Sequence, residues 1–297
     1  MKILVTGKNG QLGKSIQKTV KTDNKIDNNH SPNDFIFVGR GDLDLSSESS
    51  ISHYFKNNKF DIIINCAAYT SVDKADEEAE LATQVNHLAV KQLASIATKQ
   101  QARLIHISTD YVFDGESKKP YLETNIPNPI NVYGRSKLAG EKAVQELMPI
   151  NAIIIRTSWL YSEYGKNFVK TMLRLSKDQD ELNVVSDQIG SPTYATDLAN
   201  TILEIIKNKE FNRVSQMTQI YHYSNKGEIS WYRFAKKILK NCKNCKIFSV
   251  GTKQIKGKIR RPKFTALDSS KITKDFGIQS FRWEESLQKM QNNRRIE

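Results

Sequence analysis

The chain has 297 residues, of which 38% are hydrophobic, and 45 basic against 32 acidic side chains give it a net charge of +13. This composition excludes a disordered or collagen-like chain, and basic residues interleaved with acidic ones argue against a nucleic-acid binder. The chain enters a strand pattern at once and no stretch reaches the ~18 apolar residues of a membrane span, so we expect a cytoplasmic protein of one or two domains.

Short apolar runs alternate with longer amphipathic segments through the first half of the chain. The sequence predicts five buried strands, Lys2–Thr6, Phe35–Val38, Asp61–Cys66, Arg103–Ser108 and Ala152–Arg156. Apolar residues three and four positions apart predict the helices between and after them, Gly10–Lys21, Glu48–Asn57, Asp76–Lys99 and Ser136–Leu147. Because each helix returns the chain to start a parallel neighbour, we predict an α/β fold with a Rossmann-type doubly wound parallel sheet.

The second half of the chain has a mixed pattern. It predicts three further helices and one loop, at Asn167–Ser176, near Asp197–Ile206, at Ser230–Asn241 and around Gly190–Pro192. The polar stretch Thr22–Asp34 predicts a long loop before the second strand. We predict a larger domain over residues 1–165, to which about 187–225 returns, and a smaller domain mainly over 166–297, with the ligand in the crevice between them.

Three glycines follow the first strand, at Gly7, Gly10 and Gly13. This spacing allows a tight turn and lets the backbone approach a pyrophosphate at the start of a helix, in the segment that includes Gln11 and Leu12. An NTPase phosphate loop would require glycine where Lys8 stands. The loop therefore predicts a dinucleotide site and assigns the first domain to the cofactor.

The end of the second strand, Val38-Gly39-Arg40, carries no acid before Asp42. An acid there accepts the ribose hydroxyls of NAD, whereas an arginine meets the 2′-phosphate of NADP. Arg40 therefore favours NADPH, with NADH as the alternative donor. A solvated loop arginine is the competing interpretation.

A YxxxK motif at Tyr133 and Lys137 places both side chains on one helical face. A lysine charge beneath a tyrosine lowers the phenol pKa and suits it to donate a proton to a carbonyl. Thr109 ends the fourth strand and can hold the same carbonyl oxygen, so the set predicts ketone reduction. Asn65 and Asn86 are candidate relay partners or buried amides that satisfy backbone groups.

Several motifs together resemble the dTDP-4-dehydrorhamnose reductases, which are extended short-chain dehydrogenase/reductases. They span nearly the whole chain, namely Lys2–Gly13, Asn65–Ala75, Ser108–Gly115, Asn131–Lys142, Arg156–Trp159 and Asp187–Thr193. The resemblance implies NADPH-dependent reduction of a 4-keto sugar nucleotide to dTDP-L-rhamnose, for cell-surface polysaccharide. It implies that Thr109, Tyr133 and Lys137 are catalytic.

The resemblance also implies binding residues. Those implied for the cofactor are Gly7, Gly10, Gln11, Leu12, Gly13, Arg40, Asp44, Leu45, Ala67, Ala68, Tyr69, Asn86, Tyr133 and Lys137. Those implied for the substrate are Thr70, Val72, Thr109, Asp110, Tyr111, Trp159 and Arg261.

Three alternatives are open. Dehydratases of this fold carry a second carboxylate after the first, where this chain has Tyr111 after Asp110, which argues against water elimination. The regulatory β subunit of methionine adenosyltransferase, a dinucleotide-binding partner protein, resembles these reductases, so a non-enzymatic relative is the second alternative; the intact Thr109, Tyr133 and Lys137 set argues against it. A reductase of another nucleotide keto-sugar is the third.

The basic run around Lys256, Lys258, Arg260 and Arg261 suits a diphosphate, a solvated face or a structural salt bridge. Metal-bridged dimers of the family use an acid in the first helix, and the stretch Lys14–Gln17 has none. We expect no metal, and a monomer or a homodimer. The single CxxC pair also argues against zinc.

Overall fold

The computed structural model describes residues 1–23, 34–209, 211, 217–242, 244–254 and 259–294. Within them the strands are β1 (Lys2–Thr6), β2 (Asp34–Val38), β3 (Ile62–Asn65), β4 (Arg103–Thr109), β5 (Ala152–Thr157), β6 (Leu160–Tyr161), β7 (Glu181–Val185), β8 (Ile189–Gly190), β9 (Thr193–Tyr194), β10 (Gln219–His222), β11 (Ile229–Ser230) and β12 (Lys246–Val250). The α-helices are α1 (Gln11–Asp23), α2 (Glu48–Lys56), α3 (Ala79–Thr83), α4 (Ala89–Gln100), α5 (Val132–Leu147), α6 (Phe168–Asp178), α7 (Ala195–Lys207), α8 (Trp231–Ile238), α9 (Ser270–Phe276) and α10 (Trp283–Arg294). Across these ranges, no helix has both the length and the apolar character needed to cross a bilayer.

Six strands of the described chain form one parallel sheet in the order β2-β1-β3-β4-β5-β10. The chain order reverses at β1, because β2 pairs on one side of it and β3 on the other. Every residue of β3 and β5 is buried, as in a sheet covered on both faces. The predicted Rossmann-type doubly wound sheet is confirmed, and its reversal point places a crevice at the carboxyl ends of β1 and β3.

Helices cover both faces of this sheet. On one face Ile16 of α1 and Ile202 of α7 pack into the core, and on the other Leu93 of α4 and Val144 of α5 do so. Both α7 and β10 come from beyond residue 187, and β10 pairs with β5. The predicted domain division at residue 165 stays a prediction.

A second apolar core lies among the later elements. Val169 of α6, Phe234 of α8, and Trp283 and Leu287 of α10 are buried together. Strands β7 and β12 pair in parallel beside them. Neither strand was predicted, because β7 alternates exposed and buried side chains only briefly and no residue of β12 is fully buried.

Several predicted boundaries were wrong. The helix predicted over Asp76–Lys99 is divided into α3, a π-helical turn over Gln84–Leu88, and α4. Helix α5 begins four residues before its predicted start because the Asn131 side chain accepts a hydrogen bond from Gly134 N at 2.8 Å and caps it.

Of the loop predicted over Thr22–Asp34, the structure describes only the two ends, and both belong to regular elements. Helix α1 continues to Asp23 and β2 begins at Asp34. Positions 24–33 lie outside the described residues. Helix α8 ends at Ile238 rather than at Asn241.

Candidate active site

The predicted site residues converge on the carboxyl edge of the sheet. The glycine loop follows β1, Ala67 lies just after β3, Thr109 ends β4 and Trp159 follows β5. Parallel strands bring all these ends to one edge. Helix α5 carries Tyr133 and Lys137 to the same edge.

The glycine loop turns tightly into α1. Gly10 N donates to Gly7 O at 2.9 Å, and Lys14 N donates to Gly10 O at 3.0 Å. A Cβ on Gly13 would lie 2.3 Å from the Gly7 carbonyl oxygen, so no side chain fits there. The loop backbone and the first turn of α1 thus form a cradle suited to an anionic group.

The side chains of two loop residues, Gln11 and Leu12, make contacts within the protein. Leu12 is buried in the core. The Gln11 amide donates to Leu160 O at 3.2 Å and accepts from the side chains of Ser162 and Asn167, each at 2.9 Å. Of these two residues, only the main chain is left to face a cofactor.

Two cations stand at the end of β2. Arg40 is exposed, and its Nε lies 3.2 Å from Asp44 Oδ2. Lys8 Nζ lies 2.6 Å from Asp42 Oδ2, which also accepts from Gly39 N at 2.9 Å. The hydrogen bond from Lys8 lowers the pKa of Asp42. No sequence pattern assigned Lys8 or Asp42 to this position, because the turn that folds Asp42 back onto Gly39 is visible only in three dimensions.

Asp44 and Leu45 follow this turn. Asp44 accepts hydrogen bonds from Ser46 N at 2.9 Å and Ser46 Oγ at 2.7 Å. The Leu45 side chain is buried in the core below. Leu45 therefore has only its backbone near the crevice.

The Thr109 hydroxyl lies beside the Tyr133 phenol, where it acts to lower the pKa of the phenol against the larger effect of burial. The two meet because α5 approaches the turn after β4 closely: a Cβ on Gly134 would lie 2.1 Å from Tyr111 O. The rings of Tyr111 and Tyr133 also make an edge-to-face contact with centroids 5.6 Å apart. The sequence predicted the hydroxyl pair, whereas the glycine contact that permits it was not foreseen.

Lys137 lies one turn along α5 and is 2% exposed. Its Nζ donates to Ile107 O at 2.7 Å and lies 3.4 Å from His106 Nε2. His106 Nδ1 is in turn 3.1 Å from the Asn65 amide. Burial lowers the pKa of Lys137 to about 8, and the Glu141 carboxylate opposes that shift. His106 was not predicted here, since a histidine within an apolar strand has no distinguishing pattern.

The expected lowering of the Tyr133 pKa was wrong. Burial raises the pKa of Tyr133 to about 12, with the Thr109 hydroxyl acting in the other direction. The Lys137 ammonium bonds the Ile107 carbonyl instead of supporting a phenolate. Tyr133 therefore keeps its proton at neutral pH, which suits a proton donor.

A buried ion pair holds α5 against the sheet. Arg156 Nη2 of β5 lies 2.6 Å from Glu141 Oε2, and both side chains are at most 2% exposed. Ser108 Oγ donates to Glu141 Oε1 at 2.5 Å. Arg156 Nη1 lies 3.5 Å from His222 Nε2, and burial lowers the pKa of His222 to about 3, so that imidazole is neutral.

Asn86 fixes the segment after β3. Its side chain accepts from Tyr69 N at 2.9 Å and donates to Tyr69 O at 3.0 Å and to Ser136 Oγ at 3.0 Å. The side chain is completely buried, whereas Ala67 and Ala68 are partly exposed. The amide thus satisfies backbone groups, and Asn86 positions the segment without presenting its side chain to a cofactor. The π-helical turn that carries it is a feature often found at functional sites.

The next part of this segment faces the C-terminal region. Thr70 is exposed, Val72 is partly buried, and a 3₁₀ turn over Val72–Lys74 follows. Arg261 Nη2 pairs with Asp73 Oδ1 at 2.6 Å, and the Tyr111 phenol lies near its guanidinium. The salt bridge considered for Arg261 is therefore present.

The rest of the basic run is only partly described. Lys256 and Lys258 lie outside the described residues. Arg260 O accepts from Asn131 Nδ2 at 3.0 Å, which ties this run to the start of α5.

Asp110 is buried beside Thr109, with a 3₁₀ turn over Asp110–Val112. Its Oδ1 accepts from Thr109 Oγ1 at 3.1 Å. Its Oδ2 is buried and has no hydrogen-bond partner in the part of the chain that the structure describes.

Trp159 has a left-handed backbone with φ of 47°, which is strained for a bulky residue. Its ring stacks on Trp231 with centroids 3.4 Å apart. A Cβ on Gly190 would lie 2.6 Å from the Trp159 ring. Trp159 and Trp231 thus form a stacked wall packed against the second core, and the predicted contact of Trp159 with a sugar stays a prediction. Trp231 lies in a segment for which the sequence predicted only a helix.

Known proteins match this chain over nearly its whole length. A family model described as RmlD substrate binding domain matches residues 1–296. The dTDP-4-dehydrorhamnose reductase of Sinorhizobium fredii is 39% identical over 295 residues, which cover 98% of this chain and 96% of that protein.

Two solved structures have the same fold over nearly their full length. A dTDP-4-dehydrorhamnose reductase from Clostridium acetobutylicum matches with a TM-score of 0.90 and 39% identity, covering 99% of this chain and 100% of that one. The dTDP-4-dehydrorhamnose reductase from Bacillus anthracis, solved in complex with NADP, matches with a TM-score of 0.88 and 38% identity, covering 98% and 99%.

Proposed function

We propose a function on the premise that this chain belongs to the RmlD substrate binding domain family. It reduces the C4 keto group of dTDP-4-dehydro-L-rhamnose to give dTDP-L-rhamnose. NADPH is the hydride donor, and the reaction is the last step of dTDP-rhamnose biosynthesis. The resemblance inferred from the motifs is confirmed by these relatives.

One observation supports the proposal most directly: the side chains of Thr109 and Tyr133 lie side by side at the carboxyl edge of the sheet. Two adjacent hydroxyl groups can hold one carbonyl oxygen and polarise it. Since Tyr133 stays protonated, it can give its proton to the oxygen as the carbon is reduced. Lys137 lies one helical turn away with its ammonium hydrogen-bonded to Ile107 O, and we assign it to the cofactor contact that the resemblance implies.

The residues at the crevice fit a dinucleotide. The glycine cradle excludes side chains, so the backbone near Gly13 and the start of α1 would hold the pyrophosphate. Arg40 and Lys8 would meet a 2′-phosphate at the end of β2, in competition with Asp44 and Asp42. When bound, NADPH supplies the hydride.

For the sugar nucleotide, we propose the segment that includes Thr70 and Val72, the Trp159 wall, and Arg261. Arg261 already pairs with Asp73, so a diphosphate would have to share or replace that partner. Reduction is favoured over dehydration because Asp110 is followed by Tyr111 and no second carboxylate is available as base.

The test is identification of the product. Purified protein is incubated with dTDP-4-dehydro-L-rhamnose and NADPH deuterated at the reactive carbon of the nicotinamide, and NMR locates the deuterium. We expect it at C4 of rhamnose. Deuterium transfer only to another keto-sugar nucleotide would change the substrate, and no transfer to any would support the regulatory-subunit alternative.

The predicted cytoplasmic location and the choice between monomer and homodimer belong to this proposal. Sedimentation of the purified chain, with and without divalent cations, decides the second. A mass that depends on magnesium would contradict the expectation of no metal.

A further inference from the structure

Within the described residues, the carboxyl group of Asp110 is held by a hydroxyl group and by no cation. Thr109 Oγ1 donates to its Oδ1 at 3.1 Å, and the Thr265 hydroxyl lies close enough to lower the pKa of the carboxyl. Its Oδ2 is buried and unpartnered, and Asp110 makes no ion pair within the described ranges. Burying a carboxylate without a cation is costly, so the surroundings favour the neutral acid.

The protonation state of this group controls where the Thr109 hydroxyl can point. Thr109 Oγ1 accepts from Tyr111 N at 3.2 Å and has one proton to give. An ionised Asp110 only accepts hydrogen bonds, so it draws that proton toward itself. A neutral Asp110 can donate its own proton to Thr109 Oγ1, which leaves the Thr109 proton for another acceptor.

We propose that Asp110 is a positioning residue for the reaction: its neutral carboxyl turns the Thr109 hydroxyl toward the substrate carbonyl, and its carboxylate turns that hydroxyl away. This inference rests on the proposed function, because that function identifies the carbonyl as the C4 keto group of the sugar. It gives Asp110 a role through Thr109, different from the direct substrate contact that the resemblance implies.

This role makes turnover depend on pH in a defined direction. Burial raises the pKa of Asp110 to about 7, while the Thr265 and Thr109 hydroxyls act to lower it. Asp110 therefore loses its proton as pH rises through about 7, and kcat falls.

The other titratable groups facing Asp110 are Tyr111 on its own turn and Tyr133 on α5, and the Arg261–Asp73 pair lies near Tyr111. Burial keeps the pKa of both phenols above the ordinary value, so neither titrates near pH 7. Burial lowers the pKa of Lys137 to about 8, so its loss of charge gives a separate fall in kcat near pH 8.

The test compares kcat against pH in wild type, Asp110→Asn and Asp110→Ala. The Asn amide donates a hydrogen bond permanently, as the neutral acid does. We expect it to retain the low-pH kcat and to lose the fall near pH 7, leaving only the later fall that belongs to Lys137. We expect Asp110→Ala to lose about tenfold in kcat at all pH values, because nothing orients Thr109. Asp114→Asn, on the same segment but away from Thr109, should keep the wild-type profile.

A fall near pH 7 that persists in Asp110→Asn, or an Asn variant as slow as the Ala variant, would overturn the proposal. Infrared difference spectra of wild type minus Asp110→Asn, recorded against pH without substrate, follow the carboxyl directly. We expect a protonated carboxyl below about pH 7, and an acid ionised throughout that range would also overturn the proposal. Because this spectrum needs no turnover, failure of the proposed reaction and failure of this inference are distinguishable.

Discussion

At the scale of single residues, the proposed reduction depends on two adjacent hydroxyl groups, and burial keeps the phenol of Tyr133 protonated. Burial raises the pKa of Tyr133, and Thr109 ends β4, whose neighbouring strands β3 and β5 are buried throughout. A protonated phenol is the form that an acid catalyst needs when a ketone is reduced. The role of Tyr133 thus follows from its surroundings.

Tyr133→Phe removes the proton and keeps the ring. We expect kcat to fall by about 10²–10⁴, with NADPH affinity unchanged. Steady-state rates give the first quantity, and titration of nicotinamide fluorescence gives the second. Turnover close to wild type would show that another group donates the proton.

Arg40→Ala should weaken NADPH much more than NADH, by about tenfold in Kd, because only NADPH offers a 2′-phosphate. Calorimetry with both cofactors measures the difference. Arg174→Ala is the matched control, since Arg174 is also exposed and also pairs with an acid four residues later. Equal losses for the two cofactors would contradict the assignment of Arg40.

At the scale of elements, α5 is the part that assembles the site. It carries Tyr133, Lys137 and Glu141 at intervals of four residues, so the proton donor, the cation and the buried acid share one face. The helix is held by the Glu141–Arg156 pair and by its approach to Tyr111.

Gly134→Ala should separate α5 from the turn after β4, because the new methyl group would lie 2.1 Å from Tyr111 O. We expect a loss of about 1–3 kcal/mol in unfolding free energy, and lower kcat as the Thr109–Tyr133 contact opens. Urea unfolding and rates measure the two effects. Gly41→Ala, whose Cβ would have nothing within 4 Å, is the control. Equal stability of both variants would refute the packing argument.

Glu141→Gln should lower the pKa of Lys137 below about 8, since the Glu141 charge raises it. The fraction of charged Lys137 at a given alkaline pH then decreases, and the alkaline fall of kcat moves to lower pH. The variant should also lose about 3–5 kcal/mol because Arg156 is left buried without its partner. Glu146→Gln, exposed on the same helix, should change neither the profile nor the urea midpoint. A profile unmoved by Glu141→Gln would contradict the coupling.

The sequence predicted those elements whose pattern is local. Strand β1 matches its predicted range, β2, β4 and β5 differ from theirs by one residue at one end, and β3 is one residue shorter at each end. The start of α5 was wrong because it depends on a cap, and the π-helical turn was missed because an apolar pattern running through Asp76–Lys99 does not distinguish it from an α-helix. Strands β7 and β12 were missed because each is defined by a partner far away in the chain.

At the scale of the whole molecule, parallel strand ends bring distant motifs together. The sequence predicted that the glycine loop, Thr109 and Tyr133 share one edge, since each follows from strand order. It did not predict Lys8 with Asp42, His106 with Lys137, or Trp159 with Trp231, because these contacts depend on side-chain placement across elements. The sequence motifs predicted the reaction, whereas burial in the folded protein determines the pKa values of Tyr133 and Lys137.

The central claim is that this fold reduces a 4-keto sugar nucleotide with Tyr133 as proton donor. The most direct measurement is NADPH consumption with dTDP-4-dehydro-L-rhamnose, followed for wild type and for Tyr133→Phe in parallel. We predict rapid consumption by wild type, matched by formation of dTDP-L-rhamnose, and near loss of both in the variant. Binding of NADPH by wild type without any consumption would contradict the account and support a non-catalytic role as a binding partner.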